Sequence, residues 1–223
     1  MSKVICIEGN VAAGKTTMIN KLKEHFKNDD RIIFISEPVD RWVKTGMLRD
    51  IHSDDKKVQQ ENCCEVQTSI ITDIFDQIMT EQKKAENTKT EIIVAERSIK
   101  SNICFIKKHY DSGNLTDLEY ETCVRLHRYY ASKLKEDIFI YLRPSLETCM
   151  KRCLISRERT DEKKLDVSYF KTIDQNHEDI FGNSTENEKN GNIYTFENEK
   201  GDGTYKKILE IITGELSRKK NQS

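Results

Sequence analysis

Residues 9–16 read Gly-Asn-Val-Ala-Ala-Gly-Lys-Thr, a full match to G-x-x-x-x-G-K-[ST], between a short apolar run, Val4 to Ile7, and a helix-forming stretch, Lys15 to Phe26. No other part of the chain constrains the fold as much. A glycine-bearing loop between a strand and a helix points its backbone N–H groups at an anion on the helix N-terminus, and the lysine reaches the terminal phosphates. Gly9, Asn10, Ala12, Ala13, Gly14, Lys15, Thr16 and Thr17 are therefore the expected nucleotide-binding residues, with Thr16 a magnesium ligand. A chance glycine turn would lack the flanking strand and helix. The loop implies a nucleoside triphosphate and leaves open what receives its phosphoryl group.

The remaining chain alternates in the same manner. Ile32 to Ile35, Ile92 to Ala95, Ile138 to Leu142 and Ile193 to Phe196 are apolar without polar alternation. Strands buried on both faces read this way, and parallel sheets bury both. Helix-like stretches lie between them: about Glu65 to Lys84, Ser98 to Tyr110, Thr116 to Lys135, and Leu146 to about Phe181 with a break near Thr160 to Asp166. Val66, Ile70, Ile74 and Ile78 recur at every fourth position, and Thr116 with Glu119 forms a capping box. The expected class is α/β, a doubly wound sheet of about five parallel strands.

The 223 residues suit one domain, expected over 1–215 with a lid at about 152–166, an exposed loop at Asn183 to Asn192 and a disordered tail at 216–223, frayed from Ser217. Lys+Arg 37 against Asp+Glu 38 leaves no bulk charge for nucleic acid or an anionic membrane. The longest apolar run, Ile138 to Leu142, is far below the roughly 18 residues of a membrane span, and the first ten residues lack a secretory apolar region. A cytoplasmic location is expected. Seven cysteines, an odd count without C-x-x-C, read as reduced thiols.

Ligands in open α/β sheets sit at the carboxyl ends of strands. The second apolar run ends in Ser36-Glu37-Pro38-Val39-Asp40-Arg41-Trp42, the third in Glu96-Arg97-Ser98. A carboxylate there can take a hydroxyl proton or hold magnesium, and an arginine can neutralise a transferring phosphoryl. Each alone could equally be a surface ion-pair residue. Four of the eleven arginines, Arg143, Arg152, Arg157 and Arg159, fall within 17 residues. Their planar forks suit phosphate oxygens, although a solvated helix face is the plainer reading.

The ordered set G-N-V-A-A-G-K-T, E-P-V-D-R-W, V-Q-T-S, E-R-S, Y-L-R-P-S, R-E-R-T-D-E and Y-F-K-T-I-D-Q-N-H-E-D-I-F resembles the deoxyribonucleoside kinases over roughly residues 3–182. The resemblance implies a P-loop kinase fold with an arginine-rich lid, ATP and Mg2+ as cofactors, a small deoxynucleoside substrate and a homodimer. It implies Glu37 as general base for a 5′-hydroxyl, with Lys15, Arg97 and the lid residues Arg157 and Arg159 completing the catalytic set. Glu96 joins Thr16 at magnesium. Gln67 is implied at the base edge, Trp42, Ile70, Ile74 and Phe105 at its apolar walls, and Glu162 at the sugar 3′-hydroxyl.

Three departures from the family pattern stand out. His52 falls where a tyrosine is usual, with about four extra residues before Gln67. The Glu96 to Phe105 segment is one residue shorter, which puts Asn102 near a position that helps set base preference. The lid carries about one extra residue between Arg152 and Arg157. Ile74 stands where the deoxycytidine-type members place an arginine, so an apolar slot that accepts a thymine methyl is expected. A thymidylate-type monophosphate kinase shares fold, loop and lid and is the nearest alternative; a nucleotide-binding switch without chemistry leaves Glu37 and Gln67 unexplained.

Overall fold

The computed structural model describes residues 2–156, 165–182, 192–198 and 202–220. The apolar runs form β1 (Lys3–Glu8), β2 (Ile32–Ile35), β3 (Ile92–Glu96), β4 (Ile138–Leu142) and β5 (Ile193–Phe196). They make one all-parallel sheet in the order β2-β3-β1-β4-β5. Successive side chains face opposite ways, so Val4 and Cys6 enter one core while Ile5 and Ile7 enter the other. Ile93 and Ala95 against Ile92 and Val94 repeat the division on β3.

Between and after the strands the described residues form α1 (Lys15–His25), α2 (Val39–Lys44), α3 (Met47–Ile51), α4 (Lys56–Ala85), α5 (Asn102–Asp111), α6 (Asp117–Ala131), α7 (Leu146–Ser156), α8 (Val167–His177) and α9 (Asp202–Lys220). Helices α2 to α6 feed the core that holds Val4, and α1 with α7 to α9 feed the one that holds Ile5. The sheet is therefore covered on both faces, as expected. The chain visits β2 and β3 on one side of β1 before crossing to β4 and β5 on the other. The carboxyl end of β1 is thus the switch point where a crevice opens.

The capping box is present: Thr116 Oγ1 accepts from Glu119 N at 3.3 Å while Glu119 Oε2 accepts from Thr116 N at 2.8 Å. Helix α4 differs from expectation by starting at Lys56 rather than near Glu65. Its first turns lack an apolar repeat and are held by polar bonds instead. The Asp55 side chain caps Lys57 N at 2.9 Å, and Gln60 donates to the Gly113 carbonyl at 2.9 Å. Helix α9 runs to Lys220, past the boundary expected at 215 and through part of the segment expected to fray. Ile208, Ile212 and Leu216 explain this, because they place an apolar stripe in the core. Arg157, Arg159 and Glu162 in the expected lid, and 183–191 of the expected loop, lie outside the described residues. All seven cysteines are free thiols, and no helix among the described residues is long and apolar enough to cross a membrane.

Gly9 adopts φ +145°, where a Cβ would lie 2.5 Å from the Leu142 carbonyl oxygen and 2.9 Å from Ala13 Cβ. Gly9→Ala should cost about 2 kcal/mol of stability through backbone strain and contact. It should also weaken ATP binding at least about tenfold, because the loop cannot close around phosphate. Thermal unfolding with and without ATP checks both, and unchanged curves would show that the loop tolerates a side chain here.

Candidate active site

The phosphate loop is braced from three directions. Lys15, buried at the start of α1, donates to the Gly9 and Asn10 carbonyls at 3.1 and 3.0 Å. The Asn10 side chain donates to the Phe170 carbonyl at 3.1 Å and Asp174 at 3.2 Å, which ties the loop to α8. Asn198, just beyond β5, donates to the Ala13 carbonyl at 2.8 Å, and Arg152 from α7 joins at 3.3 Å. Ala12 and Gly14 take positive φ to turn the loop, and Thr17 lies exposed in the first turn of α1. Thr16 Oγ1 donates to Glu96 Oε1 at 2.5 Å. A hydroxyl and a carboxylate side by side at the loop fit Mg2+, which takes few protein oxygens and completes its shell with phosphate and water.

Arg97 lies at the tip of β3 with φ +73°, uncommon for a non-glycine residue, and is 5% exposed. Its Nε donates to Glu37 Oε1 at 2.5 Å, its Nη1 lies 3.9 Å from Glu8 Oε2, and its guanidinium sits 4.8 Å from the Phe105 ring centre. Burial opposes the charge, but Glu37 and Glu8 outweigh it and raise the pKa, so the group stays protonated. Glu8 is fully buried and accepts from Ser98 N at 2.6 Å and from the Ser98 hydroxyl, fixing the turn behind Arg97. Burial lifts the Glu8 pKa, and Arg97 and Ser98 oppose the rise.

A cleft of about 680 Å³, counting the open space at its mouth, opens beside these groups. Lys15, Glu37, Trp42, His52, Gln67, Ile70, Arg97, Asn102 and Phe105 all line it. Ile74 does not: one turn along α4 from Ile70, it is 3% exposed and packed in the core. The Trp42 indole donates to Asp73 Oδ2 at 2.8 Å, and Arg41 pairs with the same carboxylate, fastening α2 to α4. Gln67 Oε1 is buried without a partner among the described residues. Asn102 Nδ2 donates to the Ser98 and Ile99 carbonyls at 3.1 and 3.3 Å. His52 meets Tyr169 edge to face at 5.9 Å, and its Nδ1 has no partner among the described residues. Burial, aided by Lys108, lowers its pKa to about 4, so the imidazole is neutral.

Sequence reasoning missed Glu8 and Asn198, and also Leu165 and Tyr169, which line the same cavity. A charged residue closing the apolar run of β1 was the available signal for Glu8, and the strand-tip rule applied to the last strand would have found Asn198. It also missed Glu136, which accepts from Ile99 N at 2.8 Å and so holds the turn after Arg97. Burial, with Glu8 adding to it, pushes the Glu136 pKa up to about 7. The folded state therefore binds this proton more tightly than the unfolded chain, so its contribution to stability falls as pH rises from about 4.5 to 7. Glu136→Gln should gain about 2–3 kcal/mol relative to wild type between pH 5 and 8. Denaturant unfolding at both pH values measures it, and a constant difference would mean that Glu136 ionises normally.

A family model described as deoxynucleoside kinase matches residues 5–213. A protein named probable deoxycytidine kinase from fowlpox virus (strain NVSL) is 27% identical over 192 residues, covering 83% of this chain and 74% of the viral protein. Human mitochondrial thymidine kinase 2 is 28% identical over 185 residues, 79% of this chain but 63% of that protein, so the chain spans less than two thirds of its length. Human deoxycytidine kinase is 26% identical over 197 residues, 79% of this chain and 74% of that protein. The family match takes in β1 from Ile5 on, the other four strands, the braced phosphate loop, the Arg97–Glu37 pair and the cavity beside them. The chain belongs to the deoxynucleoside kinase family.

Proposed function

We propose that the chain moves the γ-phosphoryl group of ATP onto the 5′-hydroxyl of a deoxyribonucleoside, giving the 5′-monophosphate and ADP. The observation that carries this reading is the charge pattern of the cavity. Among the described residues that line it, charge is confined to Lys15, Glu37 and Arg97, and the rest of its wall is apolar or carries neutral polar groups. A neutral nucleoside fits such a wall. Glu37 takes the 5′-hydroxyl proton as the oxygen–phosphorus bond forms, and the bond from the γ-phosphorus to ADP breaks. Arg97 and Lys15 meet the charge that spreads over the transferring oxygens, the kind of fixed electrostatic help that dominates phosphoryl transfer. Thr16 and Glu96 hold Mg2+, which supplies charge neutralisation on the phosphates when bound.

Gln67 presents its buried amide oxygen to an N–H on the base edge, with Trp42, Ile70 and Phe105 as walls. Asn102 borders the base, and His52 with Glu162 takes the sugar 3′-hydroxyl. Arg157 and Arg159 close over the phosphates. We read Ile74 as an uncharged core residue behind this pocket, leaving no arginine to discriminate against a thymine methyl. Homodimerisation, a cytoplasmic location and the absence of nucleic-acid or membrane partners belong to the same reading.

Turnover of Glu37→Gln with thymidine and with thymidine monophosphate tests the acceptor. Loss of the base should lower the rate with thymidine by about 10² to 10⁴ while calorimetry shows retained nucleoside binding. Full activity of the variant, or a wild type that uses only the monophosphate, would overturn the proposal. A chromatographic assay of wild type with ATP and each of four deoxynucleosides should place thymidine among the good substrates. Undetectable thymidine phosphorylation beside rapid purine deoxynucleoside turnover would refute that preference. Arg157→Ala and Arg159→Ala should each lower kcat by about 10² with a smaller change in nucleoside KM, because they act on the transition state.

A further inference from the structure

His177 ends α8 and is fully buried. Its Nδ1 lies 2.8 Å from the Ile173 carbonyl oxygen, and its Nε2 lies 3.5 Å from Arg97 Nη1. These two contacts fix the ring chemically. A carbonyl only accepts, so Nδ1 carries the proton; a guanidinium only donates, so Nε2 offers its lone pair. The arrangement needs a neutral imidazole of one tautomer. Burial, with Arg97 and then Lys15 adding repulsion, brings the pKa down to about 3, in agreement with the hydrogen-bond pattern.

The ring's surroundings hold its orientation. Tyr141 lies parallel to it, 6.2 Å away at 6°, and Phe105 stands at 88° with centres 6.1 Å apart. The Tyr141 hydroxyl donates to Glu178 Oε1 at 2.8 Å, and Arg143 bonds the other oxygen of Glu178 at 3.1 Å. Glu178 opens a π-helical turn, Glu178–Gly182, directly after His177, and such turns re-aim the side chains beside them. Phe105 touches both partners, because its ring also lies under the Arg97 guanidinium.

We propose that His177 is a positioning residue for phosphoryl transfer, the uncharged acceptor that aims the Arg97 guanidinium while leaving its positive charge available to the transferring group. This rests on the role given to Arg97 above. Glu37 fixes the guanidinium at Nε from β2's end of the cavity, and His177 fixes it at Nη1 from α8. Glu8 Oε2 stands farther off, 3.9 Å from Nη1, and the Phe105 ring lies beneath the fork, so His177 is the nearer acceptor that sets where Nη1 points. A carboxylate in place of His177 would also anchor it but would cancel charge that the transition state needs. A cationic side chain there would repel it.

His177→Met and His177→Gln, similar in bulk, separate the acceptor from the packing. His177→Met should lower kcat by about tenfold to a hundredfold, the scale of one lost hydrogen bond to a charged group, with nucleoside and ATP KM within about twofold. His177→Gln, whose amide oxygen can accept from Nη1, should recover most of that loss. Equal kcat for Met and wild type, or no advantage of Gln over Met in folded protein, would overturn the proposal. Imidazole ¹⁵N spectra of wild type supply a test that needs no variant to fold. The His177 signals, assigned by through-bond connectivity to distinguish them from His52 and His109, should show the Nδ1–H tautomer, without titrating, from pH 5 to 9. If His177 titrates in that range, or carries its proton on Nε2, the proposal fails. Because the spectra do not depend on turnover, they also distinguish its failure from a failure of the kinase assignment.

Discussion

A guanidinium that is 5% exposed cannot be left unpaired, since an uncompensated buried charge costs several kcal/mol. Arg97 stays charged at any working pH, so its surroundings have to supply carboxylates and acceptors. Glu37 comes from the end of β2 and Glu8 from the end of β1, and these strands flank β3 in the sheet. The parallel order is what lets three consecutive strand tips converge on one cation. The strained φ of +73° at Arg97, worth of order 1–3 kcal/mol, is held by the Ser98 bonds to Glu8 and the Ile99 bond to Glu136. Sheet topology, backbone strain and the candidate base all meet at this one charge.

Much of this was legible in the residues, for identifiable reasons. Strands buried on both faces are uniformly apolar, so all five could be read directly, and the phosphate loop announces itself by spacing. Glu37 and Arg97 were visible because they lie at strand tips in a chain that also carries a phosphate loop, and within motifs that resemble the family. Glu136 was not singled out, because a buried carboxylate outside a strand tip declares itself only through what packs around it; Glu8 was passed over although it closes the apolar run of β1. The start of α4 was illegible because its early turns rest on Asp55 and on bonds to Ser112 and Gly113, partners distant in sequence. Helix α9 has the periodicity that would have revealed it, at Ile208, Ile212 and Leu216. The pattern was obscured by Glu210 and Glu215 between them and by Lys206 and Lys207 just before them. His52 was ambiguous between loop and site until the added turns of α4 and Tyr169 placed it in the cavity wall.

Burial acts in opposite directions on the titratable groups around the site. His52, His109 and His177 are all pulled below the usual imidazole range, so the unfolded chain takes up their protons first and stability drains away as pH falls below about 6.5. Glu136 and Glu8 are pushed upward and favour the folded state as pH falls. The two sets offset each other in the mildly acid range. Their shared result is local: around Arg97 the histidines add no charge, and the field at the phosphate end comes from a few fixed groups.

That field bears on the choice between a nucleoside and a nucleoside monophosphate as acceptor. An acceptor phosphate brings about two negative charges into a low-dielectric cavity and requires cations committed to it. Among the described lining residues the cations are Lys15, tied into the phosphate loop, and Arg97, already facing Glu37 and Glu8. Setting a phosphate beside Glu37 would bring like charges together without an added cation among those residues to offset them. A hydroxyl carries no such cost, and it offers Glu37 a proton that a phosphate dianion lacks. On that reading the carboxylate that pairs with Arg97 Nε is also the group placed to accept the proton, while the guanidinium stays held beside the transferring group.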